Sequence, residues 1–206
     1  HQGARTAARR SVEYWRKDPD VLINFPAFTL EETQSVLALL SPLVRSWVIV
    51  FTDWRFIQAL EEHPPAGLRF VRFGIYVKPN GAPQFSGDRP GTGWEAIAIL
   101  HHEGGRMKWN GGGHHAVWIY NKPHQDSYAG DHPTVKSLPL MKDIIQKFTD
   151  RGATILDPFA GSGTTGVACV QLGRKFVGIE VNESWFNVAV KRIQEAQMQL
   201  QLDLET

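Results

Sequence analysis

Short runs of β-branched and aromatic residues alternate with amphipathic segments, and this alternation predicts an α/β domain: a mostly parallel sheet with helices on both faces. Two further observations shape the expectation. A glycine-rich turn joins a strand to a helix after Asp157, and the interval from Pro79 to Gly130 is rich in Gly, Pro, His and Trp without helical periodicity. That interval reads as an inserted region, broken by strands at 96–100 and 116–120.

In chain order, strands are expected at 21–23, 47–52, 70–77, 96–100, 116–120, 154–156 and 176–179, each an apolar run bounded by turn residues. Thr29 and Glu32 have capping-box spacing and open an apolar-periodic stretch to about Leu40, which Pro42 stops. Asp53 is placed to cap a second helix through Glu62, ended by His63-Pro64-Pro65. Two longer helical patterns cover 136–148 and 182–197, the second with Phe186, Val190 and Ile193 at core spacing.

With 206 residues, 42% hydrophobic and 21% charged, the chain is long enough to bury one substantial core. No apolar run approaches the roughly 18 residues of a membrane span. The start, His1-Gln2-Gly3-Ala4-Arg5, has no apolar signal core, so a cytoplasmic protein and no membrane partner are expected. His1 stands where an initiator methionine would, so the protein is expected to begin upstream. Cys169 is the sole cysteine and reads as a small buried apolar residue.

Net charge is only +1, but its sign is unevenly spread. Arg5, Arg9, Arg10, Arg16 and Lys17 face only Glu13 at the start. Residues 69–108 hold six Lys or Arg against Asp88, Glu95 and Glu103. A phosphate-backbone footprint requires such local excess, and a solvated face also produces it.

Gly161, Gly163 and Gly166 satisfy G-x-G-x-x-G, and Glu180 ends the next expected strand 19 residues beyond Gly161. Glycines let the backbone turn tightly against a ligand, and a carboxylate at the second strand tip can accept both ribose hydroxyl hydrogens. This is the nucleoside-binding turn of a Rossmann-like sheet. Asp157, just before the glycines, would repel a pyrophosphate and attract an ammonium or sulfonium. A nicotinamide-dependent oxidoreductase is therefore disfavoured.

Asp157-Pro158-Phe159-Ala160-Gly161-Ser162-Gly163-Thr164-Thr165 resembles the cofactor signature of DNA amino-methyltransferases. His132-Pro133-Thr134-Val135-Lys136 resembles that family's H-P-T-x-K-P segment, with Ser137 in place of the usual proline. The motif order is similar to the permuted, beta class of bacterial or phage type. Phe25 to Thr29, Trp47 to Asp53 and Val77 to Pro79 look like its weaker middle motifs. The resemblance covers most of the chain and is strongest over 131–182.

It implies a single Rossmann-like methyltransferase domain over 1–206, with a target-recognition insert at about 79–130 and an S-adenosylmethionine-binding segment at 131–197. The implied activity is methyl transfer from S-adenosylmethionine to the exocyclic amine of a flipped-out base, adenine N6 ahead of cytosine N4. The implied cofactor residues are His132, Thr134, Lys136, Asp157, Phe159, Gly161, Ser162, Gly163, Thr164, Thr165, Glu180 and Asn182. Among these, Asp157 would hold the methionyl amine side, Glu180 the ribose, and His132, Thr134 and Lys136 the carboxylate end. The implied partners are double-stranded DNA and a second copy of the chain.

The family's catalytic sequence, Asp, Asn or Ser followed by Pro-Pro and an aromatic, is not in this chain. His63-Pro64-Pro65-Ala66 follows a helix and lacks both the acidic or amide group and the aromatic. The catalytic segment is expected upstream of residue 1; the competing reading is an inactive relative that binds cofactor and DNA. An RNA or small-molecule methyltransferase would share the loop, though the permuted order and basic insert argue against it.

For DNA contacts the candidates are Arg5, Arg9, Arg10, Lys78, Arg89, Arg106, Lys108 and Asn110, with Gln84, His114 and His115 beside them. Trp94 and Trp118, next to apolar strands, read as core residues. His101-His102 and His114-His115 lack the helical two-ligand spacing of a metal site, so no metal is expected.

Overall fold

Strand β1 (Trp47–Thr52), rich in valine and aromatic residues, pairs antiparallel with β3 (Trp94–His102), Trp47 opposite His101 and Thr52 opposite Ala96. β3 also pairs antiparallel with β2 (Leu68–Val77), with a bulge between Phe70 and Arg72, and β2 pairs parallel with β4 (Val117–Ile119). The sheet order is β1-β3-β2-β4, and a second sheet pairs β5 (Thr154–Asp157) parallel with β6 (Lys175–Gly178). These relations come from a computed structural model that describes residues 28–81, 83–123 and 135–205. The strand expected at 21–23 lies outside the described residues.

Alternation along β3 feeds two cores. Ile97 and Ile99 join Tyr76, Trp118, Leu140, Ile144 and Phe148 on one face; Ala98 and Leu100 join Leu37, Leu60 and Leu68 on the other. The second face is covered by α1 (Leu30–Leu40) and α2 (Ile57–Glu62). Thr29 caps α1 reciprocally with Glu32, as the capping-box spacing predicts, and Asp53 caps the 3-10 turn that leads into α2.

Helix α3 (Leu138–Phe148) covers the first face. Its Leu140, Ile144 and Phe148 recur at helical spacing, while the neighbouring stripe, Met141 and Ile145, packs on Ala168, Cys169 and Ile155. α3 is therefore shared between the large sheet and the unit of β5, α4 (Thr164–Leu172) and β6. Its C-terminal Phe148 meets Trp47 at the start of β1, and Arg174 at the start of β6 donates to the Thr149 carbonyl at 2.8 Å. Strands β1, β2, β4, β5 and β6 consequently all finish at the same rim, where α3 begins. Helix α5 (Glu183–Glu205) closes the chain, with the Asn182 side chain accepting from Trp185 N.

Two sequence-based expectations are corrected. The large sheet is not mostly parallel, because β3 runs against both neighbours. A parallel neighbour needs a crossover, usually helical, and residues 79–93 contain no helical pattern, so β2 and β3 form a hairpin instead. Nor is 79–130 an insert as a block, since β3 is a central strand of the sheet and β4 extends it. Among the described residues of that interval, two loops stand outside the sheet at opposite rims: 78–93 where β2 finishes and 103–116 where β3 finishes.

Candidate functional site

The rim where the parallel strands finish is where ligands gather in open α/β sheets, because loops there converge between strand tips. Asp157 closes β5 with both carboxylate oxygens engaged. Oδ1 accepts from Phe159 N at 3.0 Å and Oδ2 from the Thr165 hydroxyl at 2.6 Å. Glu180, just past β6, reaches back to the same turn: Oε2 accepts from Gly161 N at 2.8 Å and Oε1 from Asn182 N at 2.9 Å. One carboxylate thus organises the turn from below and the other from its side. Among the described residues neither has a cation as ion-pair partner, so the mouth of the turn carries two uncompensated negative charges.

The glycines here answer steric demands. Gly163 sits at φ +79°, and a Cβ there would lie 2.8 Å from the Ala189 Cβ; at Gly166 it would lie 2.4 Å from Ile193 Cδ1. Both residues let α5 pack directly on the turn. Arg192 of α5 locks that packing, donating to the Ser162 carbonyl, to Ser162 Oγ at 2.9 Å and to Thr164 Oγ1 at 3.4 Å. Burial lowers the Arg192 pKa. Ser162, Thr164 and Thr165 are buried, so their hydroxyls build the turn rather than face solvent. Phe159 is exposed at its crest and packs edge-on against Phe28, centroids 5.2 Å apart. Beside Glu180, a cavity of about 120 Å³ lies between β6 and α5, lined by Phe176, Gly178, Phe186 and Ile193.

Lys136, leading into α3, reaches the same rim. Its ammonium lies 2.5 Å from Glu95 Oε2 and 4.6 Å over the Phe51 ring, while Lys78 holds Glu95 Oε1 at 3.1 Å. Burial alone would raise the Glu95 carboxyl, but the Lys136 and Lys78 ammonium groups outweigh it and hold it below the usual carboxylate range. Burial, helped by the Glu95 charge, pushes the Tyr76 hydroxyl up to about 12. Burial likewise takes the Cys169 thiol to about 12, an inert core group as its sequence context suggested.

The structure joins Asp157, Phe159, the glycine turn, Glu180 and Asn182 by hydrogen bonds, and puts Lys136 on the same rim, paired with Glu95. His132, Thr134, Arg5, Arg9 and Arg10 lie outside the described residues. Lys78, Gln84 and Arg89 line a cavity of about 430 Å³ in the 78–93 loop, on the same rim. Arg106, Lys108 and Asn110 are elsewhere, in the 103–116 loop at the opposite rim. Lys108 pairs with Asp150 at 2.6 Å, and Asn110 Nδ2 donates to the Thr149 carbonyl at 3.0 Å and Asp150 Oδ1 at 3.1 Å. These two fasten their loop to the end of α3, on the rim away from Lys78, Gln84 and Arg89. His63-Pro64-Pro65 also sits at that opposite rim, before β2, and is a turn.

Sequence reasoning missed Arg192 and Glu95, both remote from the motifs they serve. For Glu95 the one visible signal was a charged residue in an otherwise apolar strand; Arg192, between Lys191 and Glu195, carried none.

The chain has clear relatives. The profile of the N6_N4_Mtase family, described as DNA methylase, matches residues 44–191. Type II methyltransferase M.Cfr9I of Citrobacter freundii is 35% identical over 158 residues, covering 71% of this chain and 50% of the relative. DNA adenine methyltransferase YhdJ of Escherichia coli (strain K12) is 44% identical over 82 residues, covering 39% of this chain and 28% of the relative. The chain thus spans about half of M.Cfr9I and less of YhdJ. The crystal structure of the M1.HpyAVI-SAM complex superposes with a TM-score of 0.69 at 29% identity, over 81% of this chain and 85% of that one. PvuII DNA methyltransferase (cytosine-N4-specific) shares the fold, with a TM-score of 0.66 at 12% identity over 89% and 80% of the two chains. With its carboxylate-flanked glycine turn, its strand-tip rim and a family profile that spans most of its length, this chain belongs to the N6_N4_Mtase family of DNA methylases.

Proposed function

We propose that this chain is the cofactor-binding part of an S-adenosylmethionine-dependent DNA amino-methyltransferase, with adenine N6 in double-stranded DNA as its target. The observation that carries this reading is the pair of strand-tip carboxylates, Asp157 and Glu180, left without cations around a glycine turn. A dinucleotide's pyrophosphate would meet repulsion there, whereas an ammonium and ribose hydroxyls would each find an acceptor and a sulfonium an attracting charge. The similarity to M1.HpyAVI in complex with SAM supports the cofactor, and the similarity to the adenine methyltransferase YhdJ supports the base.

In this reading Asp157 faces the methionyl ammonium, Glu180 takes the ribose hydroxyls, Phe159 and the turn amides line the site, and Lys136 serves the carboxylate end with His132 and Thr134. Bound S-adenosylmethionine supplies the electrophilic methyl group. The chain's own residues position it and shield it from water; the group that accepts the amine proton and stacks the extruded base belongs to the Asp-, Asn- or Ser-Pro-Pro-aromatic segment that these residues lack. Arg89 and Gln84 in the 78–93 loop are proposed to meet DNA, with Lys78 anchoring that loop.

No helix among the described residues is long and apolar enough to cross a membrane. The cytoplasm, where DNA is accessible, is the proposed place of action. Self-association into a homodimer is proposed as well, on the apolar side chains Met198, Leu200 and Leu202 that α5 leaves exposed; sedimentation velocity at rising concentration tests it.

Methylation-sensitive sequencing of DNA from cells expressing the complete reading frame tests the activity. N6-methyladenine at a fixed sequence is expected. Unmodified DNA from cells with abundant folded protein would favour an inactive, ligand-binding relative.

A further inference from the structure

Glu95 ties three segments of the chain together through its carboxylate. It is the second residue of β3, and its two oxygens are divided between Lys78, just past β2, and Lys136, just before α3, at 3.1 and 2.5 Å. Lys78 also stitches the base of the 78–93 loop through its backbone: Lys78 N donates to the Gly93 carbonyl at 2.7 Å and Gly81 N to the Lys78 carbonyl at 2.9 Å. Lys136 is held on the Phe51 ring, so its ammonium has little freedom to leave. Two largely buried ammonium groups this close would repel each other, and the shared carboxylate is what holds them together.

We infer that Glu95 is a positioning residue that couples the 78–93 loop to the cofactor segment, so that cofactor and DNA each strengthen binding of the other. This rests on the reading of Lys136 as a partner of the cofactor's carboxylate. An anion arriving at Lys136 competes with Glu95 for the ammonium, and the Glu95 carboxylate then leans on Lys78 and firms the base of the loop that carries Gln84 and Arg89. The reverse holds by linkage: DNA that orders the loop draws Glu95 toward Lys78 and frees Lys136 for the cofactor. An independent structural role for Glu95 would lower both affinities without linking them.

The test is calorimetric titration of the full chain with S-adenosylhomocysteine, with and without a mixed-sequence DNA duplex, in wild type, Glu95→Gln and Lys78→Met, each checked for folding by thermal melting. DNA is expected to tighten S-adenosylhomocysteine binding by about tenfold in wild type and by nothing in either variant. A wild-type ratio of one, or an undiminished ratio in folded variants, overturns the coupling. Should Glu95→Gln fail to fold, Lys78→Met decides alone. Failure of wild type to bind S-adenosylhomocysteine at all would instead remove the cofactor assignment beneath it, a result read separately from the ratio.

Discussion

Gly163 shows how much of the site is decided by single residues. Its φ of +79° is expensive for any side chain, and its Cβ would press on the α5 backbone at Ala189. Gly163→Ala is expected to destabilise the protein by about 1–3 kcal/mol, measured as a lower urea midpoint at unchanged slope. At this scale the sequence was informative wherever residue type and strand position coincide. Asp157, Glu180 and the three glycines could be read directly, because a carboxylate at a strand tip and a glycine in a turn each answer a specific physical demand. Arg192 and Glu95 could not. Their roles arise from the approach of elements 30 and 41 residues away from them in the chain, to Ser162 and to Lys136.

Among the elements, α3 carries the most, since neighbouring stripes of one helix pack into two cores. Ile144→Ala should cost about 2–5 kcal/mol, as a buried side chain with little room to collapse around it. Because α3 belongs to both cores, a single thermal transition at lower temperature is expected by calorimetry; two separated transitions would show that the sheets fold independently. Strand positions were legible because β-branched and aromatic runs end at turn residues. Strand direction was not, until the absence of helical pattern between β2 and β3 is weighed. The full length of α5 also escaped the periodicity reading: from Met198 to Leu204 apolar and polar residues alternate with a strand-like period, yet Gln, Leu, Met and Glu are strong helix formers and the helix runs on to Glu205.

For the molecule as a whole, the two rims divide the basic residues into two groups. Arg89 belongs to the rim of the glycine turn and Lys108 to the opposite one, engaged with Asp150. Arg89→Ala is expected to reduce the salt dependence of DNA affinity by about one unit of log-log slope, while Lys108→Ala leaves it unchanged; the opposite pattern would place the DNA on the other face. Acidity supplies a second global readout. The folded Glu95 carboxyl titrates below its ordinary 4.5, so its contribution is present above that value and disappears as pH falls through the lowered one. Wild type should therefore lose more melting temperature than Glu95→Gln on acidification from about pH 6 to about pH 3.

The central claim is that the negative mouth of the glycine turn selects a nucleoside that carries an ammonium group over a phosphate-bearing one. Calorimetric titration of wild type and Asp157→Asn with S-adenosylhomocysteine, whose ammonium is retained, and with NAD tests it most directly. Wild type is expected to bind the first and ignore the second, and Asp157→Asn to bind the first at least about tenfold more weakly, a difference of about 1.4 kcal/mol. NAD binding by wild type, or equal affinity of the two proteins for S-adenosylhomocysteine, would contradict the account.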